Sequence, residues 1–194
     1  MIILASGSWL RKTILEASCL PFEVKVGGVD ERSIEASHQD KSDEQVVMIL
    51  AKAKSEAVWN EHRNDLVIAA DTLAILPNGQ RLHKPDSARE AIELCLLQSG
   101  KTIQAVTGIS MTYRGKTITD VSSTSISYID FDEETIRKLM RGNDATMRNA
   151  GLGFFLDAPG FTLVKSFEGS YTGAMGLPME IVRKNIKLLN YGEL

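Results

Sequence analysis

The apolar residues fall in short blocks separated by turn chemistry, and each block has the period of one kind of element. Residues 1–5 form a continuous apolar run that stops at Ser6-Gly7-Ser8, which predicts a short buried strand and then a tight turn. Ser8 is placed to cap a helix over about residues 9–19, with Ile14, Leu15 and Ser18 on one face. Residues 21–29 read as a second strand, followed by an acidic connector holding Asp30 and Glu31. The helical period returns over 43–62, with Val46, Ile49, Leu50, Ala53 and Ala57 expected inward.

Residues 66–76 read as a strand with Asp71-Thr72 inside it, turning at Pro77-Asn78-Gly79. Ser87 and Glu90 have capping-box spacing at the start of a helix that should end at Gly100. Residues 102–113 and 116–129 alternate on either side of Arg114-Gly115-Lys116, a hairpin signal. Asp132 is placed to cap a short helix ending at Gly142; a glycine-rich stretch, a strand over 161–167 and a closing helix over 178–189 complete the chain. Strands and helices alternate around at least one hairpin, so the expected class is α/β with a mixed sheet.

A chain of 194 residues with 43% hydrophobic and 24% charged residues has the composition of a folded globular domain. A net charge of −3 gives the molecule no overall attraction for polyanions, so nucleic acid is not an expected partner and any anion site must be a local cluster. The acidic balance and the lack of interleaved aromatic and basic residues also disfavour an RNA-binding module. Cys19 and Cys95 are too few and too far apart for a disulfide framework or a zinc site, which fits a reducing cytoplasm. No stretch approaches a membrane span, no linker or repeat marks a boundary, and residues 1–194 fit one domain of ordinary size or two small lobes sharing a sheet.

The chemistry begins at the turn. A strand feeding Ser6-Gly7-Ser8 into a helix whose first turn holds Arg11 and Lys12 is suited to holding an anion, because backbone N–H groups and cations converge there. Ser99-Gly100-Lys101-Thr102 and Arg114-Gly115-Lys116-Thr117 each lack the leading glycine of a phosphate-binding loop and are read as turns. His38 and His62 read as surface residues, while His83 lies in a loop where it could approach a ligand. Asp71 stands in the middle of an apolar strand, and a carboxylate there requires a compensating cation. Lys54, Lys84 and the Arg11-Lys12 pair are the candidates; Lys52 and Lys54 cannot share one helix face.

Nine fragments, taken in order, give the chain a family likeness. The sequence LASGSWLRKTIL, Asp30-Glu31, Ala51-Lys52-Ala53-Lys54, Ala70-Asp71-Thr72, Lys84-Pro85, Ser99-Gly100-Lys101, Val106-Thr107-Gly108, Ala150-Gly151 and Glu168-Gly169-Ser170-Tyr171, the last ending at Gly176-Leu177-Pro178, resemble the Maf family of nucleoside triphosphate pyrophosphatases over about residues 2–190. The resemblance implies an elongated mixed-sheet fold related to inosine triphosphate pyrophosphatases, with two lobes flanking a cleft. It implies hydrolysis of a nucleoside triphosphate, normal or modified, to the monophosphate and pyrophosphate with a divalent metal, magnesium or manganese. It also implies a cytoplasmic house-cleaning role linked to septum formation, and a homodimer.

Residue by residue, the resemblance makes Asp71 the proton acceptor for the attacking water and gives Glu31 a share, with Asp71, in holding metal. Lys54 and Lys84 would neutralise phosphate charge, and Ser6, Ser8 and Arg11 would hold the triphosphate. Three positions go with choice of base: Leu10, Thr72 and a third near the glycine-rich stretch. Counting forward from Ala150-Gly151 reaches Leu156 and counting back from Gly169-Ser170-Tyr171 reaches Asp157, which is taken because a leucine cannot read a base edge. Thr72 matches the family's thymidine and uridine triphosphate type, whereas Leu10 stands where the family has arginine. Trp9, Asn149 and Gly173 also depart from the family pattern, and the competing reading is a weakly catalytic nucleotide-binding regulator of cell division.

Overall fold

The computed structural model describes residues 1–141 and 160–192. The sheet has seven strands in the order β2-β1-β3-β5-β6-β7, with β4 paired to β3. These are β1 (Ile2–Leu4), β2 (Phe22–Val24), β3 (Leu66–Ile75), β4 (Arg81–Leu82), β5 (Thr102–Tyr113), β6 (Lys116–Tyr128) and β7 (Val164–Glu168). The strands β1, β2 and β3 run parallel, while β4 against β3 and β7 against β6 are antiparallel, so the sheet is mixed as the sequence predicts. The hairpin between β5 and β6 turns on Arg114 and Gly115, both at positive φ (48° and 80°), the conformation that matches the twist of the strands it joins.

The chain divides into two compact units: Met1–Thr72, Val106–Ser122 and Thr172–Leu194 in the first, Leu73–Ala105 and Ser123–Tyr171 in the second. The first holds helices α1 (Trp9–Ala17), α2 (Glu31–Ser37), α3 (Asp43–Trp59) and α7 (Met179–Leu188). Strand alternation sorts its core into two faces. Leu66, Ile68 and Ala70 of β3 pack with Ile14 and Leu15 of α1 and Val182 and Ile186 of α7. On the opposite face Val67 and Ala69 pack with Val58 of α3.

The helix α3 shows how the two faces are kept close. A Cβ on Gly108 of β5 would lie 2.5 Å from the Val47 carbonyl oxygen and 2.6 Å from the Met48 nitrogen, so only glycine lets the α3 backbone come this near the sheet. Its buried side is Val46, Val47, Leu50, Ala51, Ser55 and Val58 rather than the expected Val46, Ile49, Leu50, Ala53 and Ala57. Ser55 is the reason: it is completely buried, and its hydroxyl lies 2.8 Å from that of Ser110 on β5. A buried polar position of this kind carries no apolar signal, so the predicted face is rotated.

Other local differences have equally local causes. The expected connector at Asp30-Glu31 is the helix α2, whose N-cap Asp30 accepts from the Ser33 N–H and which buries no residue. The strand expected over 21–29 is only Phe22–Val24. In the second unit, Ser87 caps helix α4 (Ala88–Leu96) by accepting from the Glu90 N–H. The Glu90 carboxylate does not return to Ser87 as a full capping box would; it accepts from the Asp86 N–H at 2.6 Å and meets His83 Nε2 at 2.8 Å. Asp132 caps α5 (Glu133–Met140), and a 3-10 turn, Gly160–Leu163, occupies the start of the strand expected over 161–167. A short helix α6 (Tyr171–Ala174) stands before the closing helix α7. Among the described residues no helix is long and apolar enough to cross a membrane.

Candidate active site

Two clusters of side chains meet at β3, in the first unit, one on each face of the sheet. On the α3 face, Lys54 Nζ lies 2.6 Å from Asp71 Oδ1 and 2.9 Å from Glu31 Oε2. The Lys54 and Asp71 side chains are 14% and 10% exposed, so solvent screens this pair little, whereas Glu31 at 51% is a wet outer partner. The compensating cation that an aspartate in an apolar strand requires is therefore Lys54. Lys52, two positions earlier, faces solvent and pairs with Glu56.

On the α1 face, one residue on, Thr72 meets Arg11. The local sequence builds this part: β1 ends at Leu4, Ser8 adopts an extended conformation and caps α1 by accepting from the Arg11 N–H. Ser6 Oγ accepts from the Ser8 N–H at 3.2 Å and from Arg11 Nη1 at 3.1 Å. Arg11 Nη2 donates to Thr72 Oγ1 at 3.0 Å, and Nε donates to the Gly176 carbonyl at 2.8 Å. Every nitrogen of the guanidinium thus has a protein acceptor, and the fork is held rigidly at the carboxyl end of β1, where parallel sheets bind ligands. Burial pulls the Arg11 pKa below its ordinary value, opposed by the nearby negative charges of Asp71 and Glu31.

Two partners of Arg11 and Thr72 escape the sequence reading. Gly176 has φ +101°, and a Cβ there would stand 3.0 Å from Arg11 Nε and 3.2 Å from Thr72 Oγ1. Thr107 of β5 is fully buried, lies 2.9 Å from Thr72 Oγ1 and donates to the Gly173 carbonyl at 2.7 Å. The signals available for both were the Val106-Thr107-Gly108 fragment and the glycine before Leu177-Pro178.

Of the residues singled out from sequence, the first unit brings together Ser6, Ser8, Arg11, Glu31, Lys54, Asp71 and Thr72, with Leu10 on α1 between them in sequence. Lys84 belongs to the second unit and is exposed, and Asp157 lies outside the described residues. His83, also in the second unit, is committed to Glu90.

The model of the family described as Maf-like protein matches residues 1–189. The chain belongs to the Maf family. It is 33% identical over 186 residues to a protein of Bacillus mycoides (strain KBAB4) named dTTP/UTP pyrophosphatase, covering 96% of this chain and 94% of that relative. A protein of the same name from Bacillus cytotoxicus is 33% identical over 190 residues, covering 98% and 96% of the two chains. One from Bacillus cereus (strain ATCC 10987) is 32% identical over 189 residues, covering 97% and 90%. As a Maf-family chain, it carries its paired acids and lysine on α2, α3 and β3, and its guanidinium cluster on α1 and β3.

Proposed function

We propose that this chain hydrolyses a nucleoside triphosphate, dTTP or UTP first among them, to the monophosphate and pyrophosphate. The observation that carries the reading is the Lys54 ammonium held between the Asp71 and Glu31 carboxylates. The names of the Bacillus relatives support the choice of pyrimidine substrates, and Thr72 agrees with them where Leu10 departs.

Asp71 accepts a proton from a water whose oxygen forms the new bond to the α-phosphorus, while the bond from that phosphorus to the bridging oxygen breaks and pyrophosphate leaves. Lys54 is the near cation for the charge that grows on the departing oxygens, and the Maf-family pattern gives Lys84 the same role. Ser6, Ser8 and Arg11 hold phosphate oxygens at the start of α1, where the helix adds its partial positive charge. Leu10, Thr72 and Asp157 take part in choosing the base.

The donor set fits a hard divalent ion such as magnesium or manganese. Lys54 contacts Oδ1 of Asp71 and Oε2 of Glu31, which leaves one oxygen of each carboxylate for an ion beside the ammonium, and among the described residues no group of three or more His, Cys, Asp or Glu forms a complete protein cage. Two carboxylates with substrate phosphates and water are the ordinary ligands of magnesium in such sites. Bound there, the ion would acidify water and neutralise phosphate charge.

The test is a panel of natural and modified nucleoside triphosphates with magnesium or manganese. Pyrophosphate, and not orthophosphate, is expected from dTTP or UTP, and Asp71→Asn should abolish it. A panel that yields no pyrophosphate from any nucleotide refutes the proposal.

A further inference from the structure

The hydroxyl protons of Thr72 and Thr107 can be assigned from the hydrogen-bond geometry alone. A carbonyl oxygen only accepts, so the 2.7 Å bond to Gly173 uses the one proton of the Thr107 hydroxyl. Thr107 has then nothing left to donate, and in the 2.9 Å bond between the two threonines it must accept. The Thr72 proton therefore points into the core. On its other side Thr72 Oγ1 accepts from Arg11 Nη2, which cannot be deprotonated under ordinary conditions and so cannot reverse the direction. The chain of donation runs one way, from Arg11 to Thr72 to Thr107 to the Gly173 carbonyl.

We infer that Thr107 is a positioning residue that fixes the Thr72 hydroxyl as an acceptor toward any ligand, so that the site selects a nucleotide presenting an N–H or O–H donor at that point. Thr107 is completely buried and never meets the ligand itself; it acts only through the proton of Thr72, which is partly exposed. A ligand acceptor placed against Thr72 Oγ1 would face a lone pair and be left unsatisfied, which lowers affinity by roughly five- to 150-fold. The inference rests on the proposed nucleotide substrate and deepens it: uracil and thymine carry an N–H donor at the ring position where cytosine carries an acceptor, and the other donor that dTTP and UTP share is the sugar 3′-hydroxyl.

The experiment measures dissociation constants by calorimetry in the presence of a chelator, so that binding is read without turnover. UTP, CTP and 3′-deoxy-UTP are compared on the wild type, Thr107→Val and Thr107→Ser. Valine keeps the shape of Thr107 but removes its hydroxyl, which frees the Thr72 proton to turn toward the ligand; serine keeps the hydroxyl. If the donor is on the base, Thr107→Val should reduce the preference for UTP over CTP by about tenfold. If it is on the sugar, the same loss should appear in the preference for UTP over 3′-deoxy-UTP. Thr107→Ser should restore the wild-type ratio in either arm. A Thr107→Val protein that melts cooperatively and keeps both wild-type ratios overturns the inference, and so does a Thr107→Ser protein that loses the ratio as far as valine does. Absence of pyrophosphate release by the wild type would instead refute the proposed activity, and the binding ratios would still decide the role of Thr107.

Discussion

Lys54 Nζ stands 2.6 Å from Asp71 Oδ1, and a second carboxylate, Glu31, holds the same ammonium from the solvent side at 2.9 Å. The asymmetry of the triad predicts unequal responses to mutation. In Lys54→Met, Asp71 is left as a buried acid without its ion-pair partner, a loss of about 3 kcal/mol in stability. In Asp71→Asn the lysine keeps Glu31, so the loss should be nearer ~1 kcal/mol. Both should lower pyrophosphate release by a hundredfold or more. Urea denaturation beside a pyrophosphate assay checks the pair; equal stability losses would mean that Asp71 does not depend on Lys54.

Gly176→Ala should disturb the other cluster. At φ +101° an alanine is strained, and its Cβ would press on Arg11 Nε at 3.0 Å. A destabilisation of about 1–3 kcal/mol is expected, with weakened nucleotide binding. Thermal melting and calorimetric titration of the same variant check the two effects.

Gly108→Ala acts at longer range. The added methyl would run into the backbone of Val47 and Met48, which no rotamer change relieves, so α3 must move away from β5. We expect a loss of about 2–3 kcal/mol and a fall in activity larger than stability explains, because Lys54 rides on the displaced helix. Full activity in a folded Gly108→Ala protein would contradict this.

The two thiols should differ in reactivity. Cys19 is exposed, whereas Cys95 is buried and its thiol is pushed up to about 12 by burial. A chromogenic disulfide reagent is expected to titrate one thiol rapidly in the native protein and both in denaturant.

Glu90 makes one contribution to the pH response of the second unit. The hydrogen bond with His83, and after it the Asp86 N–H, hold its carboxyl below the ordinary 4.5. A folded-state pKa below the unfolded one gives stability that is complete above 4.5 and is lost as the pH falls through the folded value. Glu90→Gln should therefore be less stable than the wild type near neutrality, and the two should converge once Glu90 is protonated in acid. Denaturation curves at several pH values between neutrality and acid check the convergence.

The elements that local chemistry determines were legible in the sequence. Ser8, Ser87 and Asp132 mark helix starts by their own side chains, and the 114–115 turn is announced by alternation on both sides. The helix α2 was not legible because ERSIEAS carries no apolar stripe and buries nothing; only the Asp30 cap marks it. The face of α3 depends on Gly108, a residue roughly a third of the chain away, and on a buried serine, neither of which enters a hydrophobic period. The candidate site divides in the same way. That Asp71 needs a cation follows from its neighbours in sequence, but that the cation is Lys54, and that Thr72 leans on Thr107, depends on which helix and strand pack beside β3.

Asp71 and Thr72 are consecutive residues whose side chains leave β3 on opposite faces, toward α3 and α1 respectively. For a protein engineer this back-to-back arrangement separates the packing of α1 from that of α3 but not their electrostatics, because the charges of Asp71 and Glu31 still reach Arg11. What cannot be traded is the phase of β3. A one-residue insertion ahead of Asp71 that carried through the strand would turn the carboxylate toward the guanidinium and the hydroxyl toward the ammonium, exchanging the partners of both clusters in a single step.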